Sequence, residues 1–597
     1  MPYTPPLAEQ RFVLETIADM PQLSTLPGFE GASPDMVDAI LVESGKLTAG
    51  VFAPLNAIGD RVGAKAVDGV VALPEGFKAA YDAYVAGGWI GLGASPAHGG
   101  QGLPFVLACA VQEQLTSANM AFSLCPMLTL GAIEALQVHA SPEQQKIYLE
   151  PLIAGRWTGT MNLTEPQAGS DVGALRSTAT PSADGSWRIK GTKIYITWGE
   201  HDLAENIVHL VLARTPDAPP GTRGISLFVV PKFHVNSDGS IGARNDVRAV
   251  STEHKLGIHA SPTCTMAFGD DDACVGHLVG AEGAGMRAMF TMMNHARINV
   301  GLQGIAVAEA AYQQALEFAR QRVQSAKFGG GRQPVRIIEH ADVRRMLMTV
   351  KAYTEAARAI AYLNASAVDR GHAEPGPDAR KAAQGLADLL TPVTKAFATD
   401  IGVEMSSLAL QVFGGMGYVE ETGAAQHYRD SRIAPIYEGT NGIQALDLVG
   451  RKLGMDGGRH WRALFAGERA FIKALPKDGD LGQLAPYLED ALEALQTATV
   501  WIAGNDAEQM GDTAAAATPY LRMFALTIGG CLLARQAAEA VRRLSAGQGD
   551  PAFLNAKIAT ARFFAEQLLP AASALLGPIT RGDALLFAIP ENSLLAA

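Results

Sequence analysis

Between Met161 and about residue 275 the chain changes texture, and this change constrains its fold more than any other feature. SWRIKGTKIYITWG, NIVHLVLART, RGISLFVVPKF and CTMAFGD are short, rich in β-branched and aromatic residues, and separated by Gly, Pro and Asp, which is the pattern of strands. On both sides the spacing is helical. Upstream, PFVLACAVQEQLTSANMAFSLCPMLTLGAIEAL has apolar residues at helical intervals and few breakers. SPEQQKIYLEPLIAG opens with Ser141 and Pro142, a cap and first-turn pair, and Glu143 follows. Downstream, GAGMRAMFTMMNHARINVGLQGIAVAEAAYQQALEFARQR starts a helical stretch that runs to about Leu453, broken by the glycine-rich KFGGGRQPVR. Beyond Gly457 and Gly458 come more helices, including LGQLAPYLEDALEALQTATVWIAG and TPYLRMFALTIGGCLLARQAAEAVRRLSAG. The expected protein is mostly α with a central β domain. Its parts are an extension at 1–40, a helical domain at 41–160, the β domain at 161–275, helices at 276–453 and an additional helical unit at 454–597.

Composition narrows the partners. A net charge of −12 argues against non-specific nucleic-acid binding, which needs Lys and Arg to neutralise phosphates. The five cysteines form no CxxC pair and no zinc spacing with His, which suits a reduced cytosol. The start MPYTPPLAEQRFVLET lacks a basic segment followed by an apolar run, and the late apolar run FALTIGGCLLA is too short for a bilayer. The expectation is a soluble cytoplasmic protein with neither a membrane nor a nucleic acid as partner.

Three segments in order resemble the acyl-CoA dehydrogenase family: MNLTEPQAGSD (161–171), GTKIYITWGE (191–200) and GGMGYVEETGAAQHYRDSRIAPIYEGTNGIQ (414–444). HKLGIHASPTCTMAFGD and GAGMRAMFTMMNHAR fall between them as the family pattern has it, so the match covers roughly residues 80–453. The added helical unit and RIIEHADVRRML are most similar to the branch that includes 3-methylmercaptopropionyl-CoA dehydrogenases. The resemblance implies an N-terminal helical domain, a β-barrel-like middle domain, a C-terminal helical bundle and an extra helical domain. It also implies FAD as cofactor and the α,β-dehydrogenation of a short- to medium-chain acyl-CoA to the trans-2-enoyl-CoA. Electron-transfer flavoprotein would be the acceptor.

The residues of PIYEGTNGIQ carry the chemistry. Glu438 sits between apolar Ile436 and Tyr437 and the flexible Gly439. Burial disfavours a carboxylate's charge and strengthens it as a base. Gly439 permits close approach of substrate, and the backbone N–H at 438 can donate to a thioester oxygen. Glu438 is the expected general base for the α-proton, with hydride leaving to flavin N5. Some branches of the family carry the base where this chain has Ala296, which cannot take a proton.

The remaining assignments follow from the resemblance. Met161, Leu163, Thr164, Gly169 and Ser170 correspond to a flavin-lining segment, and Tyr195, Ile196 and Thr197 to a strand beside the ring. Many relatives have Trp at the place of Tyr195. Arg322 and Gln324 correspond to residues that reach the FAD of a neighbouring subunit, and Gln411, Gly414 and Gly415 to its adenosine cradle; Thr440 and Asn441 would touch the flavin next door. Both ends of the site therefore call for at least a homodimer. Ser170, Asn294, His295, Arg297, Glu438 and Gly439 are the expected acyl-CoA contacts, and Phe122, Leu124 and Met127 are candidates for the pocket floor or for plain core. Rival readings are an acyl-CoA oxidase using oxygen and a flavin-bearing nucleic-acid binder.

Overall fold

A computed structural model describes residues 3–67, 69–236 and 238–595. Its centre is a mixed sheet of β1 (Trp157–Asn162), β2 (Thr178–Pro181), β3 (Trp187–Thr197), β4 (Asn206–Arg214), β5 (Ile225–Pro231), β6 (Val247–Thr252), β7 (Thr263–Phe268) and β8 (Val275–Val279), in the order β6-β7-β3-β8-β5-β4-β1. β2 bonds to β3 and, through Thr178 and Arg214, to β4, which closes β3-β8-β5-β4-β2 into a barrel-like ring. β5 is buried along its whole length, as a strand covered on both faces must be, and its sequence is correspondingly apolar but for Ser226, whose hydroxyl accepts the Gly283 N–H. The four segments expected as strands are β3, β4, β5 and β7. β1, β2, β6 and β8 were not foreseen, because their short, mixed sequences become strands only by pairing with those four.

Three of the expected domain limits cut through elements. Residue 40 lies inside the helix Pro34–Leu47, residue 160 inside β1 and residue 275 at the start of β8. β1 shows why: it is the parallel partner of β4, a pairing that local composition does not encode.

The helices used below are α1 (Leu7–Thr16), α2 (Phe105–Ala118), α3 (Met120–His139), α4 (Gly285–Gln321), α5 (Ala341–Ala373), α6 (Pro377–Val412), α7 (Ala424–Ser431), α8 (Asn441–Asp447), α9 (Met510–Ser545) and α10 (Pro551–Phe563). The apolar stretch expected as helical breaks at Asn119, whose backbone is extended and whose side chain accepts the Phe122 N–H to cap α3. Ser141 caps the next helix, as expected, and Gln144 closes a capping box with it. α3 and the Ala507–Ser545 segment are long and apolar enough to cross a membrane. Their most apolar windows are 78% and 83% buried inside the protein, as core helices are.

α4 and α6 approach backbone to backbone. A Cβ on Gly304 would lie 1.9 Å from the Ala398 carbonyl oxygen, one on Gly402 would lie 2.7 Å from the Gly304 Cα, and one on Gly301 would strike Thr394 at 2.9 Å. This contact sets the separation of the two helices that flank the site described below.

The first residues and the last unit pack on this bundle together. Phe12 of α1 meets Phe553 of α10 edge to face at 5.5 Å, and α9 lies on α5, α6 and α8. Buried charges join the parts. Arg358 of α5 binds Glu113 at 2.8 Å and Glu309 at 2.9 Å, and Lys557 of α10 binds Glu9 at 2.8 Å and Glu355 at 2.6 Å. Removing one member of such a set strands the others without a partner, which is far costlier than losing a surface pair.

Gly304→Ala is expected to destabilise by about 1–3 kcal/mol, because the added methyl meets backbone that cannot move aside. Gly467→Ala is expected to stabilise by about 0.5–1 kcal/mol, since Gly467 lies within the helix Arg459–Ala474 and a Cβ there meets nothing within 4 Å. Urea unfolding of the two variants beside the wild type checks both signs.

Candidate active site

The loop between α7 and α8 presents Glu438. Its φ is +57° and that of Gly439 is +85°, so two successive residues are left-handed. Glycine adopts this freely, whereas for Glu438 it costs roughly 1–2 kcal/mol, so the surroundings must hold it. They do so from several sides. The Tyr437 hydroxyl donates to Gln303 of α4, and the Gln303 amide nitrogen lies 3.4 Å from the Met127 sulfur of α3. Lys395 of α6 donates to the Gly439 carbonyl at 2.8 Å and to Asn441 Oδ1 at 2.8 Å. The Asn441 amide donates in turn to the Ala396 carbonyl at 3.1 Å and to Asp400 at 2.7 Å. Thr440 caps α8 by accepting the Ile443 N–H at 3.3 Å. Asn441 is thus committed within its own chain.

Among the described residues the Glu438 carboxylate accepts no hydrogen bond, and the backbone N–H groups of Glu438 and Gly439 have no intrachain acceptor. Burial pushes the carboxyl up to about 7, and the charges of Arg297 and Lys395 pull against that rise. Arg297 is 6% exposed, its Nε has no hydrogen-bond partner, and its guanidinium lies 6.0 Å from the Phe290 ring centroid. Arg432, the nearest cation in sequence, is exposed. Ala296 is buried on α4.

The segment 161–170 and the end of β3 form a second wall. The Ile194 N–H donates to the Thr164 carbonyl at 2.9 Å, and buried Lys193 donates to the Leu163 carbonyl at 3.1 Å and to Glu165 at 2.8 Å. Glu165 also accepts the N–H groups of Arg176 at 2.7 Å and Ser177 at 3.0 Å, so one carboxylate ties down the whole loop. Burial alone would raise that carboxyl; Lys193 and these donors hold it at about 2. Sequence reading missed this clamp.

Ile194 and Tyr195 stand opposite Thr265 alone, a β-bulge, and Tyr195 has a φ of +60° and is 60% exposed. Ile196 and Leu163 bury their side chains, so these two can offer only backbone to a ligand. Met161, Thr164 and Thr197 are half-buried, while Gly169 and Ser170 are exposed. The hydroxyls of Thr164, Ser170 and Thr197 and the N–H groups of Gly169 and Ser170 have no intrachain hydrogen bond among the described residues. A loop of unspent hydroxyls and amides beside an open aromatic ring fits a flavin's polar edge and flat face.

Arg322, Gln324, Gln411, Gly414 and Gly415 lie exposed at the opposite end of α4, over a small core in which Phe318 stacks on Phe413 at 4.4 Å. Along α4, Arg322 is roughly 37 Å from Arg297. These five residues do not meet Glu438 within one chain. Asn294 is half-buried, and His295 stacks on Phe105 at 4.7 Å and lies 4.0 Å from Glu134. Phe122 is surrounded by Phe52, Phe77, Tyr81, Tyr84 and Trp198, and Leu124 is fully buried; both are core. Met127 alone of the three reaches the base loop, through Gln303.

Family models agree with this layout. Those described as the N-terminal, middle and C-terminal domains of acyl-CoA dehydrogenase match residues 71–156, 160–270 and 283–453, and one described as acetyl-CoA dehydrogenase C-terminal like matches 464–590. The chain is 48% identical over 592 residues to 3-methylmercaptopropionyl-CoA dehydrogenase of Ruegeria pomeroyi, covering 98% of this chain and all of that one. It is 37% identical over 601 residues to a butyryl-CoA dehydrogenase of Syntrophomonas wolfei, covering 98% of each. Caenorhabditis elegans ACDH-11, solved in complex with C11-CoA, shares the fold with a TM-score of 0.76 at 20% identity, over 95% of this chain and 93% of that one. With helical, barrel and bundle parts matched in order and whole-length relatives at this identity, the chain belongs to the acyl-CoA dehydrogenase family and is an FAD-dependent oxidoreductase acting on acyl-CoA.

Proposed function

We propose that Glu438 is the general base of this dehydrogenase and that its substrate is a short thioester of the 3-methylmercaptopropionyl-CoA type. One observation carries the base assignment: a carboxylate with no intrachain donor, raised by burial to about 7, is held at the tip of a rigid left-handed turn. A base poised near neutrality combines a large ionised fraction with useful proton affinity. The unspent N–H groups of Glu438 and Gly439 would donate to the thioester oxygen as it gains negative charge when the α-proton leaves.

When bound, FAD supplies the acceptor for the β-hydrogen as hydride. Thr164, Ser170, Thr197 and the 169–170 amides would hold its polar edge, and Tyr195 would shield the ring from water. Asn294, His295 and Arg297 line the helix beside the base, where they would position the acyl-CoA. Met127 gives the wall near Tyr437 a polarizable sulfur suited to a thioether chain. The 48% identical relative supports that choice of acyl group.

Arg322, Gln324, Gln411, Gly414 and Gly415 lie too far from Glu438 to serve the same cofactor, so a homodimer would lend them to the neighbouring site. Phe328 and Tyr418, almost fully exposed beside them, supply apolar area for that contact. Electron-transfer flavoprotein is the proposed acceptor and the cytoplasm the proposed compartment.

Anaerobic bleaching of the flavin by a panel of thioesters tests the substrate; strongest bleaching by palmitoyl-CoA would overturn the short-chain reading. Glu438→Gln is expected to keep bound flavin and to slow bleaching by about 10²–10⁴-fold. Because the ionised form is the base, the wild-type rate should rise with pH and reach half its plateau near pH 7. Sedimentation should give a dimer, and Arg322→Ala should retain less FAD than wild type after gel filtration; a monomer that holds FAD fully would refute the shared site.

A further inference from the structure

Lys395 is not on the base loop and has no place in the chemistry above. Its side chain is completely buried on α6, under the loop, and both of its 2.8 Å hydrogen bonds end on that loop, at the Gly439 carbonyl and Asn441 Oδ1. A buried ammonium is costly unless it is paired and hydrogen-bonded. We propose that Lys395 is the positioning residue of the base, holding the left-handed turn from beneath and adding its charge to that of Arg297 in favour of the Glu438 carboxylate.

Geometry links the two functions. The Gly439 carbonyl belongs to the peptide one residue beyond Glu438, so the bond from Lys395 holds the chain immediately after the base. Asn441 extends the hold, since its amide binds the Ala396 carbonyl and Asp400 on the same helix. The turn is thereby fastened to α6 on its C-terminal side, at Gly439 and at Asn441. Burial pushes Lys395 down to about 7 and Glu438 up to about 7, while each favours the other's charged form. The other charged groups facing this pair are Arg297 on α4 and Asp400 on α6, with the neutral Tyr437 beside the base; Arg297 in turn is faced by Asp447 and Arg451, at and beyond the end of α8. Arg297 is the larger of the two influences on Glu438, and Lys395 adds to it. Asp400 favours the charged form of Lys395 and so sustains that contribution, while its own carboxyl is raised by burial.

The sign follows. Removing the Lys395 charge makes Glu438 harder to ionise, so its pKa rises and the pH at which bleaching becomes half-maximal moves up.

This inference rests on Glu438 being the base, and the test separates the two. Flavin-loaded wild type, Lys395→Met and Lys395→Arg are mixed anaerobically with a thioester that bleaches the wild type, and the rate is followed across the neutral and alkaline range. Lys395→Met is expected to bleach about 10-fold more slowly at neutral pH, with its midpoint raised by about one unit and part of the rate recovered in alkali. Its affinity for the thioester should change by less than about threefold, a loss in kcat without a matching rise in KM. Lys395→Arg stays charged where Lys395, itself near 7, loses its proton, so its midpoint should lie at or below the wild-type one. A uniform loss at every pH, or an unmoved midpoint in Lys395→Met, overturns the proposal. Should Lys395→Met not be recovered with flavin, Asn441→Ala, which breaks one Lys395 bond and leaves the charge, should lower the rate without moving the midpoint; wild-type rate there overturns it equally. If no thioester bleaches the wild type, the base assignment falls and this inference with it. If the wild type bleaches and the lysine variants match it, this inference alone falls.

Discussion

The active site depends on the glycine contact between α4 and α6. Because Gly301, Gly304 and Gly402 carry no Cβ, the two backbones come within van der Waals distance, and the residues they bear are brought to either side of one loop. Arg297 and Gln303 face it from α4, and Lys395 and Asp400 from α6. Any larger side chain at the crossing would spread the helices and loosen every one of these bonds at once. Shape at a dry helix crossing thus governs electrostatics at the base.

The remaining parts brace that crossing. α5 packs beside α4 and α6, and it is tied through Arg358 to Glu9 of the N-terminal residues, at 3.9 Å, and through Glu355 to Lys557 of the additional C-terminal unit. The first residues are therefore a strap on the bundle: Gln10 reaches both the Ala110 carbonyl and the Tyr362 hydroxyl, and Glu9 meets Lys557. The additional unit supplies α9 as a support along the backs of α5, α6 and α8. These links are charged and buried, so they tolerate little misregister, which suits a scaffold that must hold a strained turn.

Much of this was legible in the chain. Strand texture at 187–268 and helical spacing around it announced a β domain within helices, and PIYEGTNGIQ raised the question of a carboxylate between bulk and a glycine. The loop conformation was half-readable: Gly439 invites a left-handed turn, but Glu438 adopting one does not follow from its side chain. The clamp of Glu165, Lys193 and Ser177 and the support from Lys395 were not readable, because their partners are distant in sequence and their types are ordinary on a surface. Tyr195 reads as a strand aromatic, yet the bulge opposite Thr265 turns it outward.

By itself the sequence determined the helical stretches, the four most strand-like segments, and which acid stands beside a flexible residue, since these depend on periodicity and on neighbours along the chain. Tertiary structure decided how that acid behaves. Its desolvation, the two cations that oppose it, and the turn that aims it come from helices that meet only after the chain has folded. Charge interactions depend on distance through space and on the water excluded there, and neither quantity is written in the order of residues.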